Sequence, residues 1–369
     1  MLKHIKRIPH YRWLYYAIVA TLIRILFAYV PYLCEEFYSR GIFLIIRLVI
    51  DNTLGWLPFA TIYWLAAFLL TWLLLSLGNM LWIWRLYNWK QRVLSLFWGI
   101  IGFLCKAWVL FLVLWGFNYA RIPLQNKLEL DVQPLTTEQI FKEAQWVQNK
   151  VIETREEIKM VDSNAITEEH YKGYDLETKM RNYLTDALNE WGYPTWGAVR
   201  CRSLIPDGIL LRLNVTGIYW PWTGEGHIDN ALHPTRKPFV IAHEMGHGYG
   251  FGDESVCNFL GYVACMKASE PEIRYSGYLM YWRYLMGELY SLDEDTYHEL
   301  RSQVPEGVNN DIKAIRAIND KYPPFMAEFQ DAAYNVYLKA QGVKEGLLSY
   351  NHMVLLVTAW YKAEIFYER

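Results

Sequence analysis

The pattern of apolar and polar positions changes near residue 120. Before it, three stretches are apolar all round a helix: Trp13 to Leu33, Trp56 to Leu77 and Val93 to Phe117. Each supplies the roughly 20 helical residues needed to cross a hydrocarbon core of about 30 Å, so three membrane spans are predicted. Gly41 to Ile50 is too short to cross and carries Arg47, which predicts an interfacial or re-entrant piece. No small-x-small cleavage site follows the first span, so it is expected to stay as an anchor.

Beyond Leu135 the pattern becomes amphipathic. Ile140, Ala144, Val147 and Val151 recur at helical spacing behind a capping Thr136 or Thr137. A second helix is expected from about Asp175 to Trp191, stopped by Gly192 and Pro194. Val199 and Leu204, the turn Pro206-Asp207-Gly208 and the run Ile209 to Val215 predict a β-hairpin, with Tyr219 to Glu225 as the loop that follows. Helices then continue to the end, with capping boxes expected at Ser269…Glu272 and Ser291…Glu294 and a last helix at roughly Asn351 to Phe366. The expected organisation is a transmembrane region over residues 1–120 and one mostly helical α+β domain with a small sheet over residues 121–369.

Charge adds orientation. Lysine and arginine number 36 against 38 acidic residues, and no basic block interrupts the second part, which argues against nucleic-acid binding. Lys3, Lys6, Arg7 and Arg12 precede the first span, and Arg85, Lys90 and Arg92 separate the second from the third, whereas Arg40 and Arg47 are offset by Glu35, Glu36 and Asp51. Positive flanks face the cytoplasm, so everything after Phe117 is expected outside it. Arg24 and Lys106 lie within spans and are expected to face the bundle or to snorkel. Cys201, Cys257 and Cys265 match no zinc-ribbon or CxxC spacing and read as small core residues.

The candidate chemistry lies in Pro238-Phe-Val-Ile-Ala-His243-Glu244-Met-Gly-His247. Two histidines four residues apart share a helix face and can hold one zinc ion, with Glu244 between them as general base toward a bound water. Pro238 favours a helix start, and Gly248 and Gly250 favour its end. A catalytic zinc wants a third protein ligand. Asp253 and Glu254 compete for that place. Asp253 gives HExxHxxGxxD, similar to the metzincin spacing, but it is also the expected N-cap of a buried helix opening at Glu254. On that helix Glu254 shares a face with Asn258, which would let Glu254 bind zinc while Asn258 supports a ligand histidine, an arrangement that resembles the gluzincins.

The resemblance covers nearly the whole chain. Three spans, the Asn118-Tyr-Ala-Arg121 exit, Pro221-Trp-Thr-Gly-Glu225, HExxHxxGF followed by ExxxN, and Gly346-Leu-Leu-Ser-Tyr350 together look like a family of bacterial membrane proteins with a zincin-type domain. That likeness implies an envelope location and a peptidase-like site; with the charged flanks and the HExxH spacing, the expectation is a bacterial inner-membrane anchor, a domain facing the periplasm and zinc as cofactor. Related gluzincins often carry Glu-x-Glu-Ala-Asn, where this chain has Val256 and Cys257 before Asn258.

The expected activity is hydrolysis of a peptide or protein substrate. A membrane-tethered zinc-containing binding or sensor protein, and a zinc amidase acting on cell-wall peptides, are the alternatives. The oxyanion would need a further donor, for which Tyr350, Tyr219, His227 and Tyr275 are candidates. The run Ile209 to Val215 is the candidate edge strand for docking an extended peptide.

Overall fold

In the computed structural model, residues 11–84, 88–159, 162–325, 332, 336 and 352–367 are described. The chain divides into two compact units, Met1–Ile122 with Trp220–Gly224, and Pro123–Tyr219 with Glu225–Arg369.

The first unit contains helices α1 (Tyr11–Tyr29), α2 (Phe43–Thr53), α3 (Thr61–Trp84) and α4 (Trp89–Leu114). Three apolar windows, Arg12–Tyr29, Thr61–Trp82 and Trp89–Leu114, are long enough to cross a membrane, and only 6, 6 and 17% of their residues are buried within the protein. Helices so apolar and so exposed require lipid around them. The protein is therefore membrane-integral. The first span ends earlier than its composition suggests because Pro31 pushes Val30 out of the helical region, to φ −132° and ψ 73°. Asn88 starts α4 with a reciprocal capping box to Gln91.

Between the first two spans, Cys34–Ile42 winds as a π-helix that runs directly into α2. Its polar residues are buried in pairs. Arg121 and Arg40 both donate to Glu35, at 2.9 and 3.0 Å, and the Ser39 hydroxyl donates to Asn118 at 2.8 Å. Arg47, 1% exposed, is held by Asp51 and donates to the Gly224 carbonyl at 2.6 Å. A guanidinium buried this far survives only with such partners. Lys106 rests over the Trp13 ring at 5.6 Å, a cation–π contact that answers its position inside a span.

The second unit is mostly helical: α5 (Thr137–Glu157), α6 (Leu176–Glu190), α7 (Lys237–Gly248), α8 (Glu254–Met266), α9 (Pro271–Leu292), α10 (Glu294–Ser302), α11 (Glu306–Lys321) and α12 (His352–Tyr367). Thr136 caps α5 in a reciprocal box with Gln139, and Asp175 caps α6. Helix α8 is buried from Ser255 to Cys265 and forms the centre of the core, with α7, α9, α6 and α12 around it. The expected boxes at Ser269 and Ser291 do not form: Glu270 precedes α9 without a side-chain cap, Ser291 lies inside α9, and Asp293 caps α10.

The sheet has three strands, β1 (Cys201–Leu204), β2 (Gly217–Trp220) and β3 (Glu225–Asp229), in the order β1-β3-β2, with β1 parallel to β3 and Cys201 opposite Gly226. The hairpin expected through Ile209 to Val215 is absent. That run instead forms a turn and a short 3₁₀ helix, Leu211–Leu213, ending at Asn214 in the left-handed region with φ 59°. The cause lies downstream in β3. Fully buried Asp229 accepts from the amides of Gly208 and Leu210 at 2.8 Å, Ala231 at 2.9 Å and Leu211 at 3.1 Å. Amides held by a carboxylate cannot join a ladder. The segment expected to be a loop, Tyr219 to Glu225, instead begins and ends in strands.

Asp229→Ala leaves several buried amides without acceptors and is expected to cost roughly 3 kcal/mol or more. A melting temperature in detergent unchanged from wild type would rule out this anchoring role.

Candidate metal centre

A 3₁₀ turn, Pro234–Arg236, leads into α7, and Pro238 in the first helical turn takes the place where no amide is missed. His243 and His247 then lie one turn apart on the same face, their ring centroids 4.9 Å apart. Gly250, with φ 88°, turns the chain after α7, and Asp253 starts α8 by accepting from the Ser255 and Val256 amides at 2.8 and 3.1 Å. Asp253 is therefore a cap. Its neighbour Glu254 reaches the histidines: its Oε2 is 3.2 Å from His243 Nε2 and 3.5 Å from His247 Nε2. The potential ligand atoms of all three residues lie within 4.8 Å of one another.

These residues suit a divalent metal. Tetrahedral zinc with ligands at about 2.0–2.1 Å places neighbouring donor atoms about 3.3 Å apart, close to the separations around Glu254. Two imidazoles and one carboxylate form a donor set that leaves a fourth position open.

The surroundings fix the geometry. His247 Nδ1 is 2.8 Å from the Phe251 carbonyl and 3.3 Å from the Cys257 thiol, which orients its Nε2 toward Glu254. Asn258 is buried one turn beyond Glu254 on α8, and its side chain meets Tyr284 of α9. Cys257, one position earlier, is the residue that touches a ligand. Its spacing from His247 was visible, but a cysteine carries no sequence signal for that task.

Glu244 projects toward the sheet. Its Oε1 is 4.0 Å from His243 Nε2, and glycines of two strands make room for it. A β-carbon at Gly217 would lie 2.4 Å from Glu244 Oε1, and one at Gly226 would lie 2.8 Å from Glu244 Cβ. Burial, together with the nearby Glu254 carboxylate, raises the Glu244 pKa to about 7 against the lowering pull of the two histidines. Burial works against the charge on Glu254 too, but His247 and His243 hold its pKa well below the usual carboxylate range. For His247, burial is outweighed by Cys257 and Glu254, and its pKa rises.

The oxyanion candidates separate. Tyr219, on β2, has its ring centroid 6.5 Å from that of His247 and lies beside the centre. Tyr275 is deep in the core, donating to Asp311 at 2.7 Å. His227 is fully buried on β3, and neither ring nitrogen has a hydrogen bond among the described residues. Tyr350 and the Gly346 to Tyr350 segment lie outside the described residues. Sequence reasoning missed Tyr284 of α9, whose pKa rises to about 12, chiefly through burial and partly through Glu254.

No curated protein and no solved structure matches this chain. One family model does, over residues 38–358, and takes in the second and third spans and the cluster on α7 and α8. By that match the chain belongs to the family described as "Protein of unknown function (DUF3810)".

Proposed function

We propose that this protein is a membrane-anchored zinc metallopeptidase of the gluzincin type, with His243, His247 and Glu254 as ligands and Glu244 as general base. The observation that carries this reading is the approach of Glu254 to both histidines at 3.2 and 3.5 Å, with the buried Glu244 carboxylate 4.0 Å from His243. A site meant only to bind has no use for a second buried acid at that point. Zinc, when bound, supplies Lewis acidity that polarises a carbonyl and acidifies a water. Glu244 takes the proton of the attacking water and passes it to the departing amine. Tyr219 is the described candidate for a donor to the oxyanion. With the 209–215 segment excluded as a strand, the docking edge becomes β2, whose Gly217 adjoins Glu244. The excess of Lys and Arg before the first span and between the second and third supports a catalytic domain outside the cytoplasm.

Elemental analysis of the full chain in detergent is expected to find close to one zinc per protein. Glu254→Ala should lose it. Asp253→Ala should keep it and lose only a helix cap, about 1 kcal/mol of stability. A folded wild type without zinc would leave a membrane-tethered binding domain as the better account.

Glu244→Gln is expected to keep zinc and abolish peptide hydrolysis, and cleavage at the wild-type rate would remove Glu244 from the mechanism. The same substitution should stabilise the metal-free protein at pH 8. A carboxyl group whose pKa rises on folding from 4.5 to about 7 favours the folded state while protonated, so its destabilising effect grows as pH climbs through that window. The gain is on the order of 2–3 kcal/mol. Unfolding of wild type and Glu244→Gln at pH 5 and pH 8 tests the sign: the two should differ at pH 8 and converge at pH 5.

A further inference from the structure

Buried arginines in the second unit are normally paired. Arg155 meets Asp311 at 2.8 Å, and Arg202 meets Glu225 at 2.7 Å. Arg236 breaks the pattern. It is 9% exposed at the entrance to α7, yet its guanidinium makes no ion pair and no hydrogen bond with any described residue, and its Nε is fully enclosed. Arg283, half-buried on α9, has only the Met280 thioether, at 3.9 Å. The turn that carries Arg236 packs on α9. Burial and then Arg283 depress the pKa of Arg236 to about 9, while burial, and to a lesser degree Arg316, lowers that of Arg283. No carboxylate among the described residues compensates them.

A buried guanidinium without a partner is costly to keep unless something outside the chain supplies the missing charge. Planar, forked donors suit a carboxylate. Their position points toward the metal centre. Arg236 precedes His243 by seven residues, which is two helical turns and nearly the same face, about 10 Å along the axis. Tyr284, beside Arg283, senses Arg236, Arg283 and Glu254 together, which links the basic pair to the third ligand. In an extended peptide, about 10 Å corresponds to roughly three residues.

Resting on the metallopeptidase reading, we propose that Arg236 and Arg283 form an anion subsite of the metal centre that takes a substrate carboxylate, from a chain terminus or an acidic side chain, a few residues from the bond that is cut. Such a site makes the protein selective for peptides bearing negative charge on one side of the scissile bond.

Binding without turnover tests it. Full-length Glu244→Gln protein in detergent, loaded with zinc, is titrated calorimetrically with three probes: N-acetyl-Ala-Ala-Leu-Ala-Ala with a free C-terminus, its amide, and the amide with glutamate in last place. One or both anionic probes should bind about tenfold more tightly than the neutral amide, as loss of a charged hydrogen-bond pair implies. A preference for the free acid alone assigns the site to chain ends, and equal preference for the glutamyl amide assigns it to acidic side chains. Arg283→Gln and Arg236→Gln should each abolish most of the preference while zinc content stays unchanged. Arg283, less deeply buried than Arg236, provides the decisive variant if Arg236→Gln does not fold. Equal binding of all three probes, or a preference that survives in Arg283→Gln, overturns the subsite. A folded wild type that takes up no zinc yet still prefers the carboxylate would instead keep the subsite and sink the peptidase reading.

Discussion

The close packing of α7 against α8 is the constraint on which the rest of the second unit depends. A carboxylate can stand between two imidazoles only if the two helices approach until almost nothing separates them. Gly246 makes that possible: a β-carbon there would lie 3.2 Å from Leu260 and 3.3 Å from the Cys257 sulfur. The same seam sets Cys257 and the Phe251 carbonyl behind His247. The surrounding core of α8, α9 and α6 therefore acts as a rigid frame for a polar cluster that would otherwise repel or scatter.

Much of this was legible in the sequence because the signals are local. Two histidines at helical spacing, a glycine stop, an aspartate cap and a glutamate just after it all lie within about one helical hairpin of chain. The spans were legible for the same reason, since composition over some 20 residues suffices. What escaped depends on partners far apart. The Ile209 to Val215 run has strand composition, but Asp229 claims its amides, and no window around residue 210 contains that aspartate. Strands β2 and β3 were hidden by the glycines that admit Glu244, since glycine weakens a strand signal where a neighbouring side chain needs the space. Tyr284 comes to Glu254 and Asn258 from a helix some thirty residues later in the chain.

The charges in the unit fall into two classes. Some are neutralised internally, as Arg155 with Asp311. Others, Glu244 and Arg236 among them, are held in burial without full compensation, and they cluster around one helix. Such groups lower the stability of the resting protein, which is the usual signature of a site kept ready for something that binds.

The gap at residue 217 has an evolutionary meaning. The space a methyl group would need there is already filled by the Glu244 carboxylate, so position 217 and the base cannot both be occupied without displacement. On the metallopeptidase reading proposed above, relatives that retain both histidines and the third acid but carry a larger residue at 217 would hold metal without a correctly placed base. If the metallopeptidase reading holds, that single backbone position would then separate active from inactive members of the family, on sequence alone.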